Sequence, residues 1–242
     1  MNKLFNIVAY KLKNMKKGIF ILTLVMVLIA ILTKITEISI TLKSNTSTTT
    51  TSIFSGFELV AAIFLFIGIM ASFKENFNHL SVNGITRKLF FKSEIVFIAA
   101  ASLMLFILML LLYVFYDFLE INTKFMLYSI YTSASPASFS VLFISLLLMA
   151  SCVGLLFTVL SYRYGTPVIL FLSLSPVLIF TIGPILVYRF HLSDIFIRFF
   201  SYYFGYVNNS ARPLLASLNF IITSIVSCGI SWIVIRRMPV KM

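Results

Sequence analysis

Charge is scarce in this 242-residue chain: 11% of it is Asp, Glu, Lys or Arg, where a soluble domain carries about 25%. Cysteine is scarcer still. The two present, Cys152 and Cys228, lie inside apolar runs, which argues against a disulfide-stapled fold. Two histidines, His79 and His191, are too few for a histidine-rich metal centre within a membrane. A GxxxxGK[ST] loop is missing, so no such site for hydrolysing ATP is encoded here. HExxH and GxSxG are missing too, and no paired carboxylates fall within an apolar run. An intramembrane protease or lipid-processing enzyme would need such groups. The sequence thus predicts no catalytic residue, no metal ligand and no cofactor of its own.

What is present is apolar. The residues AVILMFWYC make up 60%, aromatics make up 16% with 26 Phe among them, and mean hydropathy is +1.06. A soluble fold of this size could not hide that surface. The class expected is an all-α polytopic membrane protein.

Charge spacing then locates the spans. A helix needs about 20 mostly apolar residues to cross a hydrocarbon core of about 30 Å. The uncharged windows give six transmembrane helices, at 18–38, 54–73, 94–116, 139–161, 166–188 and 214–235. The long window from Lys124 to Arg163 is divided at the polar stretch 131–138, which contains Pro136. The first span is expected to be retained, because no small-x-small cleavage site follows it. Lys and Arg cluster in 1–17, in 74–93, at Arg163 and in the tail at Arg236, Arg237 and Lys241. Fewer lie on the other side, at Lys43, Lys124, Arg189, Arg198 and Arg212. The positive-inside rule therefore predicts both termini in the cytosol. The net charge of +12 reads as a topology signal rather than a nucleic-acid footprint.

Residues 1–17 place Leu4, Phe5, Val8, Leu12 and Met15 at helical spacing, with Lys11, Lys16 and Lys17 on other faces. This predicts an amphipathic interfacial helix, its lysines toward anionic headgroups, followed by one six-helix domain over 18–242. The 74–93 segment reads as short helix, turn and long helix. Phe77 and Leu80 form an apolar edge, Asn83-Gly84 a stop, and Thr86 a cap for the next helix. In the fourth span, Ala150 and Gly154 form a small-xxx-small pair suited to close packing. The fifth span carries Pro167, Pro176 and Pro184. In the sixth, Ser217, Ser224 and Ser231 make a polar stripe that lines a translocation path or packs against another helix. Glu58 is the acidic residue inside a candidate span, a functional candidate by position that Lys34 or hydration would also satisfy. Segment 189–213 has eight Phe or Tyr among 25 residues. It predicts a short re-entrant or interfacial helix pair broken near Gly205, with Phe199, Phe200, Tyr203 and Phe204 as an outer gate.

This layout resembles the membrane subunit of type-2 ATP-binding-cassette exporters. Six spans, cytosolic ends, a basic amphipathic N-terminal helix and a helical excursion between spans five and six all match that plan. The run Asn83-Gly84-Ile85-Thr86-Arg87-Lys88-Leu89-Phe90-Phe91-Lys92 is similar to a stretch common between spans two and three of small bacterial members. The resemblance implies a permease for a hydrophobic or amphipathic substrate, such as a peptide antibiotic, a drug or a lipid-like molecule, with antibiotic resistance or bacteriocin immunity as the role. It implies a second, identical or paralogous permease as partner, and a separate cytosolic ATPase subunit that binds ATP and Mg. It also implies the plasma membrane of a bacterium. The ATPase-coupling loop would use Glu75, Phe77, His79, Leu80, Asn83, Gly84, Arg87 and Lys88. The interfacial helix would brace it through Leu4, Phe5, Val8, Leu12 and Lys16. Glu58, Pro176, Ser217, Ser224 and Ser231 would border the path. Two alternatives stay open: a substrate-capture subunit of a vitamin importer, and a stand-alone ion-coupled carrier or immunity membrane protein.

Overall fold

The computed structural model describes residues 3–43, 57–118, 127, 130, 131, 135–165, 193–207 and 210–238. The side chains of 30, 33, 34, 36–43 and 193–197 lie outside that description. In chain order the elements are α1 (Lys3–Lys43), α2 (Phe57–Val82), α3 (Arg87–Phe118), α4 (Pro136–Tyr164), α5 (Ser193–Tyr203), β1 (Tyr206–Val207), β2 (Ser210–Ala211) and α6 (Pro213–Arg236). The two strands form an antiparallel hairpin that pairs Tyr206 with Ala211.

Among the described residues, α2, α3, α4 and α6 are long and apolar enough to cross a membrane. The chain is therefore a multi-pass, membrane-embedded α-helical protein. Each of these helices extends beyond its expected span, because backbone hydrogen bonding continues past the last apolar residue into the polar flank. The expected first span lies within α1. The expected fifth span with its prolines, Pro176 included, lies outside the described residues, as do the Lys34 side chain and Met242.

The helices α1 and α3 run in one direction and α2, α4 and α6 in the other. Five contacts gather at one end of the bundle, here the near end. They are Lys11 with Glu94, Tyr10 with His79, Phe77 with Phe90, Asn78 with Tyr162, and Arg87 with Arg236. The near end thus holds the starts of α1 and α3 and the finishes of α2, α4 and α6. Glu58, Leu127, Tyr131 and Phe204 mark the far end.

Two expectations are corrected by the packing. First, α1 is one unbroken helix from Lys3 to Lys43, with no joint at 17–18. Its buried stripe is Ile7, Val8, Lys11, Ile19, Leu22 and Met26, while Phe5 faces outward. The Tyr116 hydroxyl donates to the Met26 carbonyl at 3.0 Å. With Lys11 against Glu94, α1 is thus held along α3 at two levels, and its start is a wall of the bundle rather than a separate interfacial piece. The Lys16 side chain does face outward. Second, the helix pair expected in 189–213 is one helix and one hairpin. The break falls at Gly205, whose φ of +75° favours glycine. A Cβ there would also collide with the Arg212 carbonyl oxygen.

The tightest seams join α4 to α6 and α4 to α2. A Cβ added at Gly154 would sit 2.9 Å from the Phe66 carbonyl oxygen, so glycine is what lets α4 approach α2. On α6, Ser217, Ser224, Ser227 and Ser231 are all buried. The hydroxyls of Ser217, Ser224 and Ser231 each donate back to a carbonyl three or four residues earlier, at 2.8 Å. These hydroxyls are thus satisfied by the backbone of their own helix. Cys152 of α4 faces Cys228 of α6 across the same seam, sulfur to sulfur at 3.3 Å, and both are free thiols.

Candidate functional site at the near end

The connection between α2 and α3 is a chemically specified stop and restart. The Gly84 amide donates to the Ser81 carbonyl at 3.1 Å and the Ile85 amide donates to the Leu80 carbonyl at 3.1 Å. This is the Schellman pattern, with Gly84 at the left-handed position, φ +72°. Asn83 adds its side-chain amide to the His79 carbonyl at 2.8 Å. The Thr86 hydroxyl then accepts from the Leu89 amide at 3.4 Å and caps α3. Stop and cap stand where the sequence predicts them. The separate short helix over 74–80 does not exist as such: those residues are the last turns of α2.

The expected apolar edge points the other way. Phe77 is 0% exposed and Leu80 is buried. Phe77 stacks on Phe73 at 5.7 Å and meets Phe90 and Tyr162 edge-on at 5.1 and 5.4 Å. These side chains hold α2, α3 and α4 together and offer nothing to a partner. The reason lies in period: Phe73, Phe77 and Leu80 continue the stripe of α2 that already buries Ala62, Leu65 and Ile69. What the turn presents outward is Val82, 75% exposed, with Asn83, Gly84, Glu75, His79, Arg87 and Lys88 around it. The His79 ring stacks on Tyr10 at 5.7 Å. Arg87 donates through Nη1 to the Arg236 carbonyl at 2.7 Å, placing a cation on the last turn of α6. Phe91 lies 5.0 Å from Trp232. The turn is thereby joined to both ends of the chain's described course, α1 and α6.

Lys11 and Glu94 are the pair that sequence reasoning missed. Lys11 is 1% exposed; its Nζ lies 2.7 Å from Glu94 Oε1, donates to Ser93 Oγ at 3.0 Å, and sits 4.4 Å from the Phe90 ring centroid. Ser93 in turn donates to the Phe90 carbonyl at 2.6 Å. Carboxylate, hydroxyl and ring face together replace the water the ammonium gives up. A signal existed. Leu4, Val8, Lys11 and Met15 share one helical face, and so do Phe90, Glu94, Phe97 and Ala101. Each charge breaks an apolar stripe where a partner must lie.

At the far end, Glu58 is fully buried in the first turn of α2 and accepts from the Leu127 amide at 3.1 Å. Tyr203 and Phe204 pack on Phe220 of α6 at 5.7 and 6.1 Å. The Tyr203 hydroxyl lies 2.9 Å from Thr223 Oγ1, and Asn219 donates to the carbonyls of Tyr202 and Tyr203. Phe199 and Phe200 are exposed and touch each other at 5.9 Å. Of the expected outer gate, Tyr203 is half-buried against α6, while Phe199, Phe200 and Phe204 are exposed and Phe200 stacks on Phe204 at 6.5 Å. Among the described residues no group of His, Cys, Asp and Glu is arranged to hold a metal ion. In comparisons with known proteins, no family model, no curated protein and no solved structure matches the chain.

Proposed function

We propose that the chain is the membrane-spanning permease subunit of an ATP-binding-cassette exporter in a bacterial plasma membrane. It would work with a second copy or a paralogue and with a separate cytosolic ATPase, and would move a hydrophobic or amphipathic substrate outward. One observation carries this reading: a stiff α2–α3 turn with an exposed apolar tip, Val82, set among polar side chains at the basic end of the bundle. A subunit without a nucleotide loop must receive work through such a contact. Small interfaces concentrate their energy in an apolar anchor with a polar rim. The anchor is then Val82, and Glu75, His79, Arg87 and Lys88 form the rim. Arg87 links that contact to α6, and His79 links it to α1. Six spans with both termini inside remain the layout proposed. Gly165 and Tyr203 lie at opposite ends of the bundle, as a fifth crossing between them requires.

The test is co-purification with the ATP-binding-cassette ATPase encoded nearest to this chain, followed by ATPase measurement in proteoliposomes. Val82→Asp should abolish both capture and stimulation while the protein still inserts. Transport by the purified chain with no ATPase present would overturn the exporter reading. It would favour an ion-coupled carrier, for which the buried carboxylate of Glu58 is the group to test.

A further inference from the structure

A cavity of about 310 Å³ lies between α1, α2 and α3, near the start of α1. That size is at the low end of small-molecule sites, about 300–1,000 Å³. Its lining changes along its length. Because α1 and α2 run in opposite directions, Lys11 and Asn14 of α1 and Ser72, Glu75 and Asn76 of α2 lie toward the near end, Met15 lies beside Gly68, and Gly18 lies beside Phe64 deeper in the bundle. The polar side chains therefore gather at the mouth, and Met15, Phe64 and Phe97 enclose the inner part. At 1.5 Å per residue, Glu75 and Phe64 are separated by about 16 Å along α2. Spread over that length, the volume is a slot the width of one alkyl chain.

The charge of the slot decides what it holds. Lys11 borders it, but its ammonium is neutralised by Glu94 at 2.7 Å. Glu75 is exposed and, among the described residues, forms no ion pair. Of the charged residues lining the slot, Glu75 is therefore the one without an ion-pair partner among the described residues. Asn76 is 4% exposed and borders the cavity, where its amide is a second polar group beside the carboxylate.

We propose that this slot binds a primary ammonium carried on a single apolar chain. Glu75 and the amides of Asn14 and Asn76 would take the ammonium, and the chain would lie between Met15, Phe64 and Phe97. Binding needs no ATPase partner, so it holds or fails apart from the exporter reading.

The experiment uses the full chain in phosphatidylcholine nanodiscs and a dodecylamine analogue bearing a diazirine at its tail, with adducts mapped by mass spectrometry. Adducts should fall on α1 near Met15 and on α2 near Phe64. Free dodecylamine should compete with them and dodecyl sulfate should not. Glu75→Gln lies at the surface and leaves the packing alone; it should weaken binding roughly tenfold, the effect of one charge-assisted hydrogen bond. Gly68→Leu, which fills the slot beside Met15, should remove the adducts. Competition by phosphatidylethanolamine in the nanodisc would assign the site to a lipid headgroup; a lack of it would assign the site to a free amine. Equal competition by dodecyl sulfate, or adducts unchanged in both variants, would overturn the proposal.

Discussion

Lys11 shows how a single side chain fixes the course of a helix. Buried ion pairs gain little net stability over apolar replacements, but removing one partner leaves an uncompensated charge and costs about 3–5 kcal/mol. Lys11→Met alone should therefore lower the melting temperature of the detergent-solubilised protein markedly. Lys11→Met combined with Glu94→Leu should recover most of the loss, since both stripes become continuous. A double variant no more stable than the single would mean that the pair does not hold α1 on α3. The residues that mark this contact were legible in the sequence as charges in apolar stripes. The contact itself was not, because α1 and α3 are far apart in sequence and hydropathy does not pair helices.

At the scale of the element, the turn between α2 and α3 separates two kinds of substitution. Gly84 stands in open space at φ +72°, so a side chain there meets no atom but pays backbone strain of about 1–2 kcal/mol. Gly84→Val should insert normally and lose stimulated ATPase activity. Phe77→Ala removes the ring that joins α2, α3 and α4, at about 3–5 kcal/mol. It should lower yield and melting temperature before any question of coupling arises. Normal stability of Phe77→Ala would contradict its burial. Turn chemistry was readable here because Asn, Gly and Thr act through the local backbone. Which face of α2 turns inward was not, because lipid and protein interior are equally apolar and only rare polar groups distinguish them. The hairpin after Gly205 escaped for a related reason: its residues are aromatic enough to suit a helix, and two paired residues per strand leave no periodicity to read.

For the whole molecule, the shared direction of α2 and α6 makes the turn at Val82, after α2, and the hairpin at Ser210, before α6, opposite poles. In a chain whose native cysteines are replaced by Ser, Val82→Cys should react with a membrane-impermeant maleimide only after permeabilisation. Ser210→Cys should react on intact cells. Labelling of both from one side would overturn the arrangement of α2 against α6. The spans in α2, α3, α4 and α6 were legible because a window of about 20 uncharged apolar residues is longer than a soluble core helix buries and matches the thickness of a bilayer. The continuity of α1 was not, since its basic start looks like the end of a membrane segment.

The two thiols of the α4–α6 seam give the wild-type protein a reporter of its own motion. Their sulfurs are in non-bonded contact at 3.3 Å, against about 2.05 Å in a formed bond. Copper(II)–phenanthroline would take up the two electrons released as the bond forms, and both protons would leave to solvent. A stapled chain that still cycles would show α4 and α6 moving as one body. One arrested until dithiothreitol is added would locate the working stroke between them.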